Sequence, residues 1–146
     1  MRKCPNIDTI FSVLIRNGLP SATKSAADLF IVDWELSHIG ARALDLGQMI
    51  AELYETKLFK NVDGGLWIID GFSKGYGSLT DEMALRTAIH VGVHLICWGS
   101  RVPGWGSQEQ IEEVVKAGRD IIVHAWMKDK QWFVGGSLGC LFEALG

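Results

Sequence analysis

The sequence predicts a mainly α-helical protein with a small pair of β-strands near its N-terminus. Two short apolar runs, residues 11–15 and 29–32, have the length and the β-branched content of strands. From Asp45 onward, apolar residues instead recur every three or four positions, as they do on one face of a helix. Helix-start signals precede several of these periodic stretches. The pattern therefore predicts a strand pair followed by four or five helices.

The first two helices are predicted in the middle of the chain. Asp45 and Gln48 form the pattern of a capping box, which predicts that a helix begins there. Residues 64–77 combine apolar side chains with five glycines, which predicts a short helix that ends in a glycine-rich turn. Asp45 on this interpretation is an N-cap residue.

The remaining helices have clearer start signals. Thr80 precedes two acidic residues and starts a helix that is predicted to run as far as Trp98 and to be buried on most sides. Ser107 and Gln110 form a second capping box, which opens an amphipathic helix to about residue 125. A short helix over residues 138–145 is predicted to close the chain.

Composition excludes several classes of protein. The chain has 146 residues with 14 basic and 17 acidic side chains, scattered along it, so no basic face indicates nucleic-acid binding. Three cysteines lie far apart, which argues against a disulfide framework or a zinc-binding Cys pair. The N-terminus lacks the apolar core of a signal peptide, and the longest apolar stretch, residues 88–98, is too short to span a bilayer. We therefore expect a cytoplasmic protein without nucleic-acid or membrane partners.

Three patterns have structural explanations that outweigh functional ones. His90 and His94 are spaced as a zinc-binding pair on a helix, but the glutamate of H-E-x-x-H is absent, which favours core histidines. In residues 71–77 the lysine precedes the second and third glycines, unlike a phosphate-binding loop, which favours a turn. Four tryptophans of the helical region are expected in the core rather than in a ligand groove; they are Trp98, Trp105, Trp126 and Trp132.

The most informative pattern begins at the end of the second predicted strand. Asp33 follows the apolar run of residues 29–32 and leads into a loop that contains Gly40. A carboxylate held at the end of a strand can ligate Mg²⁺ on nucleotide phosphates, because that ion prefers oxygen ligands. The alternative is a solvated acid that only forms the turn.

This loop resembles the magnesium-binding loop of the aminoglycoside phosphotransferase and choline kinase-like family, whose fold is related to that of protein kinases. Residues 31–47 read I-V-D-W-E-x-x-x-x-G-x-x-x-x-D-L-G. Residues 89–99 and 115–122 look like the C-terminal helices of fungal members. The resemblance covers residues 29–146 and implies the C-terminal helical lobe of the protein-kinase-like fold, with residues 1–28 as a divergent N-terminal segment.

The resemblance implies roles for two aspartates and identifies two residues of a flanking motif. Asp33 corresponds to the aspartate that holds Mg²⁺ on the phosphates of ATP. Asp45 corresponds to a buried aspartate that braces the catalytic loop, and Trp34 and Glu35 flank the metal ligand. The family transfers the γ-phosphate of ATP to a hydroxyl group of a small-molecule acceptor. Three acidic residues could either face a cationic acceptor or serve only as helix-end and surface charges; they are Asp70, Asp81 and Glu82.

The sequence departs from the family upstream of Asp33. No H-G-D-x-x-x-x-N catalytic loop is present; Pro5, Ile7 and Ser12 occupy its His, Asp and Asn positions, and Asp8 is one residue out of register. The glycine-rich loop and paired lysine of the N-terminal lobe are also missing, so no catalytic residue is assigned and the nucleotide-binding residues are unknown. We therefore expect a truncated domain without kinase activity by itself, which could pair with a complementing kinase lobe or self-associate. The alternative is a non-catalytic helical interaction module derived from a kinase.

Overall fold

The computed structural model describes residues 39–101 and 103–142. All of them except Ile39 belong to one compact unit, Gly40–Gly146. The described part is mainly helical and contains no strand. Both predicted strands, residues 11–15 and 29–32, lie outside the described residues, as does the predicted domain boundary between residues 28 and 29.

Five α-helices follow one another along the described residues. They are α1 (Arg42–Lys60), α2 (Gly64–Tyr76), α3 (Asp81–His94), α4 (Gln108–Trp126) and the single turn α5 (Lys130–Phe133). A π-helical turn, Leu95–Gly99, extends α3, and a 3₁₀ turn, Gly139–Leu141, follows α5. This order confirms the helical part of the predicted fold.

Capping residues fix where most of these helices begin. The Thr80 side chain accepts a hydrogen bond from the backbone N–H of Met83 at the start of α3. At α4, the Ser107 hydroxyl accepts from the Gln110 N–H, and the Gln110 side chain accepts from the Ser107 N–H, which is the predicted capping box. At the end of α2, Gly77 adopts a φ of 97°, a conformation that favours glycine, which confirms the predicted turn.

The predicted start of α1 is wrong. The helix begins at Arg42 with Ala41 in the N-cap position, so Asp45 lies inside the first turn and is not a cap. Alanine, arginine and leucine have high helix propensity, which explains why residues 41–44 continue the helix upstream of Asp45. A carboxylate in the first turn still favours the helix through its dipole.

The core lies where α3 packs against both α1 and α4. Fully buried aliphatic side chains from the three helices and the π-helical turn fill it, among them Ile50, Val91, Leu95 and Val114. Phe133 and the 3₁₀ turn add further buried groups from the end of the described chain. The 3₁₀ turn covers only the start of the predicted final helix, whose last residues, 143–145, lie outside the described residues.

Glycines allow the three main helices to approach closely. A Cβ added at Gly47 of α1 would lie 2.5 Å from the Cβ of His90 on α3. A Cβ added at Gly92 of α3 would lie 2.5 Å from the carbonyl oxygen of Gly118 on α4. Real Cβ contacts are longer than these distances. A side chain at either glycine would therefore collide with the neighbouring helix at the observed helix spacing. The glycines therefore set the spacing of the bundle.

Some side chains predicted to be buried are exposed. Val93 on α3 is 43% exposed. Most other residues of that helix and its π-helical extension are buried or half-buried, which confirms burial on most sides. Trp126 and Trp132 at the end of α4 and in α5 are also exposed, whereas Trp98 and Trp105 are partly buried. Trp132 instead stacks on the imidazole of His124, with ring centroids 4.3 Å apart. The prediction that the tryptophans lie in the core is therefore wrong for Trp126 and Trp132.

Candidate functional site

The predicted metal-binding part of the magnesium loop lies outside the described residues. Asp33, Trp34 and Glu35 all precede residue 39, so their roles remain predictions. Asp45 is described, and its side chain is exposed in the first turn of α1, contrary to the burial that the family resemblance implied. The neighbouring residues Ala43 and Leu46 face the core, which leaves Asp45 on the solvent side of the helix.

The acidic residues considered for a cationic acceptor form ion pairs on the surface. Asp70 lies 2.7 Å from the Lys74 ammonium, and Glu82 lies 2.7 Å from the Arg86 guanidinium, each pair one helical turn apart. Asp81 pairs with a lysine of α5. These contacts favour the interpretation of the three carboxylates as surface charges.

His90 and His94 do not act as a pair. His90 is partly buried where α3 crosses α1 at Gly47. His94, one turn later, is 7% exposed and faces two glutamates of α1. His94 therefore belongs to a cluster of side chains from two helices and not to a His-x-x-x-His pair.

The cluster consists of Glu52, Glu55 and His94. The glutamates are three residues apart on α1, a spacing that places both side chains on neighbouring positions of the helix surface. The Nε2 atom of His94 lies 3.2 Å from Glu52 Oε1 and 3.9 Å from Glu55 Oε1. One ligand-type atom from each residue falls within 4.8 Å of the others. We call these three residues the Glu-Glu-His cluster.

The core surrounds the inner part of this cluster. Glu55 is 2% exposed and lies one helical turn from the core residues Ala51 and Phe59. Gly99 leaves room for its carboxylate, since a Cβ added there would lie 3.0 Å from Glu55 Oε1. Glu52 lies at the edge of the cluster, where its side chain is 24% exposed. The cluster thus extends from the protein surface into the core.

Polar atoms of the cluster lack hydrogen-bond partners. Glu55 Oε1 and His94 Nε2 are both buried without a partner in the described structure. The distance from His94 to Glu52 is short, but its geometry is not that of a hydrogen bond. Gln48 and Thr87, on the same two helices, each carry one more such atom. Buried polar groups of this kind are uncommon in native structures.

Burial changes the protonation of Glu55. The pKa of Glu55 is raised from 4.5 to about 7, because desolvation outweighs the opposing effect of His94, and the Glu52 carboxylate contributes to the rise. Because the unpartnered oxygen is costly as a buried charge, Glu55 favours either a proton or a bound cation. The arrangement can therefore exchange a proton or hold a metal ion.

Sequence reasoning identified His94 but missed both glutamates. The signal for Glu55 is its position within the apolar stripe of α1, between Ala51 and Phe59 at spacings of four residues. A charged residue in such a stripe indicates a buried polar site. Its pairing with His94 is a tertiary contact between residues 39 positions apart, which helical periodicity does not predict.

The chain is similar to fungal phosphotransferases. It is 33% identical over 112 residues to phosphotransferase FrzJ of Cladobotryum sp, which covers 77% of this chain and 29% of that protein. It is also 28% identical over 92 residues to 4-hydroxytryptamine kinase of Psilocybe cyanescens, covering 62% of this chain and 25% of that one. The corresponding kinase of Psilocybe cubensis is 26% identical over 106 residues, which is 71% of this chain and 28% of that protein.

These relatives are named phosphotransferases and kinases, which supports the resemblance to a kinase-like phosphotransferase family. The chain spans between 25% and 29% of the length of the three relatives. No protein-family model and no solved structure matches it. Of the described helices, none combines the length and the apolar character needed to cross a membrane.

Proposed function

We propose that this chain is the magnesium-loop and helical-lobe portion of a kinase-like phosphotransferase. The similarity to phosphotransferase FrzJ over 112 residues is the observation that carries this proposal. The mainly helical unit supports it, because the resemblance implies a helical C-terminal lobe over residues 29–146. A complete protein of this kind transfers the γ-phosphate of ATP to a hydroxyl group of a small molecule.

Asp33 is the proposed Mg²⁺ ligand. A carboxylate at the end of a strand offers the hard oxygen ligand that Mg²⁺ requires, and the bound ion would neutralise negative charge on the nucleotide phosphates. Trp34 and Glu35 flank this ligand in the proposed loop. The loop leads directly to Gly40, the first residue of the helical unit.

Asp45 is the proposed structural brace of the site. Its exposed carboxylate at the N-terminal turn of α1 is free of any capping role, because Ala41 occupies the N-cap position. A carboxylate at this end of the helix can accept hydrogen bonds from backbone N–H groups of a neighbouring loop. We propose that it braces the catalytic loop of a complete protein of this kind.

Phosphoryl transfer needs the nucleotide, the metal and the acceptor hydroxyl to be positioned together. The bond between the γ-phosphorus and its bridging oxygen breaks, a bond to the acceptor oxygen forms, and a base takes the hydroxyl proton. No motif of this sequence supplies that base or a phosphate-binding lysine. The chain is therefore proposed to be inactive by itself and to act with a complementing kinase lobe.

Thermal unfolding of the whole chain with and without Mg²⁺ and ATP tests this function. A ligand that binds only the folded state raises the unfolding midpoint by mass action. We expect a saturable, Mg²⁺-dependent rise that is lost in Asp33→Asn and reduced in Asp45→Asn. Asp70→Asn, which removes an exposed carboxylate of α2, is the matched control and should retain the rise.

Two results would count against the proposal. A rise that persists in Asp33→Asn would remove the metal-binding role of that residue. A cooperative unfolding transition with no response to Mg²⁺ and ATP would favour the non-catalytic interaction module instead.

A further inference from the structure

We propose that the Glu-Glu-His cluster is a binding site for a divalent transition-metal ion, of which Zn²⁺ is the best fit. The ion would join Glu52 and Glu55 of α1 to His94 at the end of α3. This inference does not rest on the proposed function, since it concerns residues of the described helical unit alone. Its role is to fix the packing of α1 against α3.

The distances within the cluster suit one shared ion. Zn²⁺ binds imidazole nitrogen and carboxylate oxygen at about 2.0–2.2 Å, so ligand atoms around it lie roughly 3–4 Å apart. The Nε2 atom of His94 lies 3.2 Å from Glu52 Oε1 and 3.9 Å from Glu55 Oε1. All three ligand atoms fall within 4.8 Å of one another. Small side-chain rotations are enough to bring them onto one centre.

The unpartnered polar atoms are an independent reason for a ligand. Glu55 and His94 are more than nine-tenths buried, and each directs a polar atom without a hydrogen-bond partner toward the cluster. A buried polar atom without a partner is destabilising. A single cation would satisfy Glu55 Oε1 and His94 Nε2 together.

The charge of the cluster also favours a divalent cation. In the part of the chain that the structure describes, no lysine or arginine forms an ion pair with Glu52 or Glu55; their ion-pair contacts are to His94. Two carboxylates and a neutral imidazole would form a neutral complex with an ion of charge two. Neutrality matters because an uncompensated charge at this depth is costly.

The donor set indicates which ion fits. Imidazole is a good ligand for Zn²⁺ and its first-row neighbours, whereas Mg²⁺ and Ca²⁺ prefer oxygen ligands. Three protein ligands suffice for Zn²⁺, which takes a fourth from solvent in open sites. The exposed edge at Glu52 offers the path from solvent. We therefore expect Zn²⁺ to bind and Mg²⁺ not to compete with it.

The competing explanation is a proton-sharing triad without metal. A protonated His94 would pair with Glu52, and a protonated Glu55 would remain neutral in the core. Both explanations use the same three side chains, but only one predicts saturable binding of a metal ion.

Isothermal titration calorimetry of the tag-free, chelator-treated chain with ZnCl₂ distinguishes them. We expect one Zn²⁺ per chain and a rise in the unfolding midpoint that excess Mg²⁺ does not reproduce. Glu52→Gln and His94→Gln should each weaken binding by at least ~10-fold, since loss of a direct ligand costs no less than loss of a supporting group. Far-UV circular dichroism checks that each variant is folded.

Two control variants test whether residues outside the cluster contribute to zinc binding. His90→Gln removes the other histidine of the His-x-x-x-His spacing, and Cys97→Ser removes an exposed thiol on the same helical segment. Both should bind Zn²⁺ as the wild type does. Loss of binding in either control, or wild-type affinity in Glu52→Gln, would overturn the proposal.

Absence of saturable binding to the folded wild type would also overturn it, in favour of the proton-sharing triad. If His94→Gln fails to fold, Glu52→Gln decides the question, because its side chain reaches the surface and its amide keeps the shape of the carboxylate.

Discussion

Substitution of Gly92 by alanine tests whether the helix spacing depends on glycine. The new Cβ would lie 2.5 Å from the carbonyl oxygen of Gly118 and 2.6 Å from Cγ1 of Ile122, both on α4. Ile122 can rotate away, but the carbonyl belongs to the backbone of α4, so the helices must separate. Overpacking of this kind costs about 1–3 kcal/mol. Alanine regains up to ~1 kcal/mol through its helix propensity.

The expected net result is a loss of about 1–2 kcal/mol in the free energy of unfolding. Urea unfolding followed by far-UV circular dichroism measures it. Gly71→Ala is the matched control, because a Cβ there meets nothing within 4 Å on the exposed side of α2. That variant should gain stability, by up to ~1 kcal/mol. If Gly92→Ala were stabilised as much as Gly71→Ala, the close approach of α3 and α4 would be refuted.

Two further predictions concern Glu55 and the start of α4. Because burial raises the pKa of Glu55 from 4.5 to about 7, the folded state holds more protons than the unfolded state between these values. The free energy of unfolding should therefore be highest below pH 4.5 and fall by about 3 kcal/mol as the pH rises through about 7. With chelator present, this loss of stability should disappear in Glu55→Gln. The same dependence of stability on pH in the wild type and in the variant would contradict the prediction. The titratable groups that face Glu55 are Glu52 and His94, and both are present in the wild type and in Glu55→Gln. Ser107→Ala should cost about 1 kcal/mol in denaturant unfolding, because it removes the N-cap of α4. Ser78→Ala, in the exposed segment before α3, should cost close to nothing, and equal losses in the two variants would contradict a capping role.

Local signals in the sequence predict the helices well. The Ser107 and Gln110 side chains form the predicted reciprocal bonds, because a capping box depends only on residues three positions apart. Thr80 caps α3 for the same reason. The capping prediction fails at Asp45, where upstream residues with high helix propensity extend α1 beyond the apparent box. A pattern marks a possible helix start, but it does not exclude an earlier one.

The candidate site was less predictable because it depends on tertiary contacts. Periodicity places Glu55 on the buried face of α1, and it places His94 on α3, but neither pattern says which faces meet. Their contact follows from the crossing of the two helices at Gly47, which a single sequence does not specify. The roles of Asp33 and Asp45 came from the family resemblance rather than from helical patterns, and they remain predictions.

The proposed phosphotransferase function is tested most directly by equilibrium binding of ATP to the whole chain, measured by calorimetry with and without Mg²⁺. We predict saturable binding that requires Mg²⁺ and is lost in Asp33→Asn, while Asp70→Asn binds as the wild type does. Absence of binding to the folded chain, or binding that neither Mg²⁺ nor Asp33→Asn alters, would contradict the proposal.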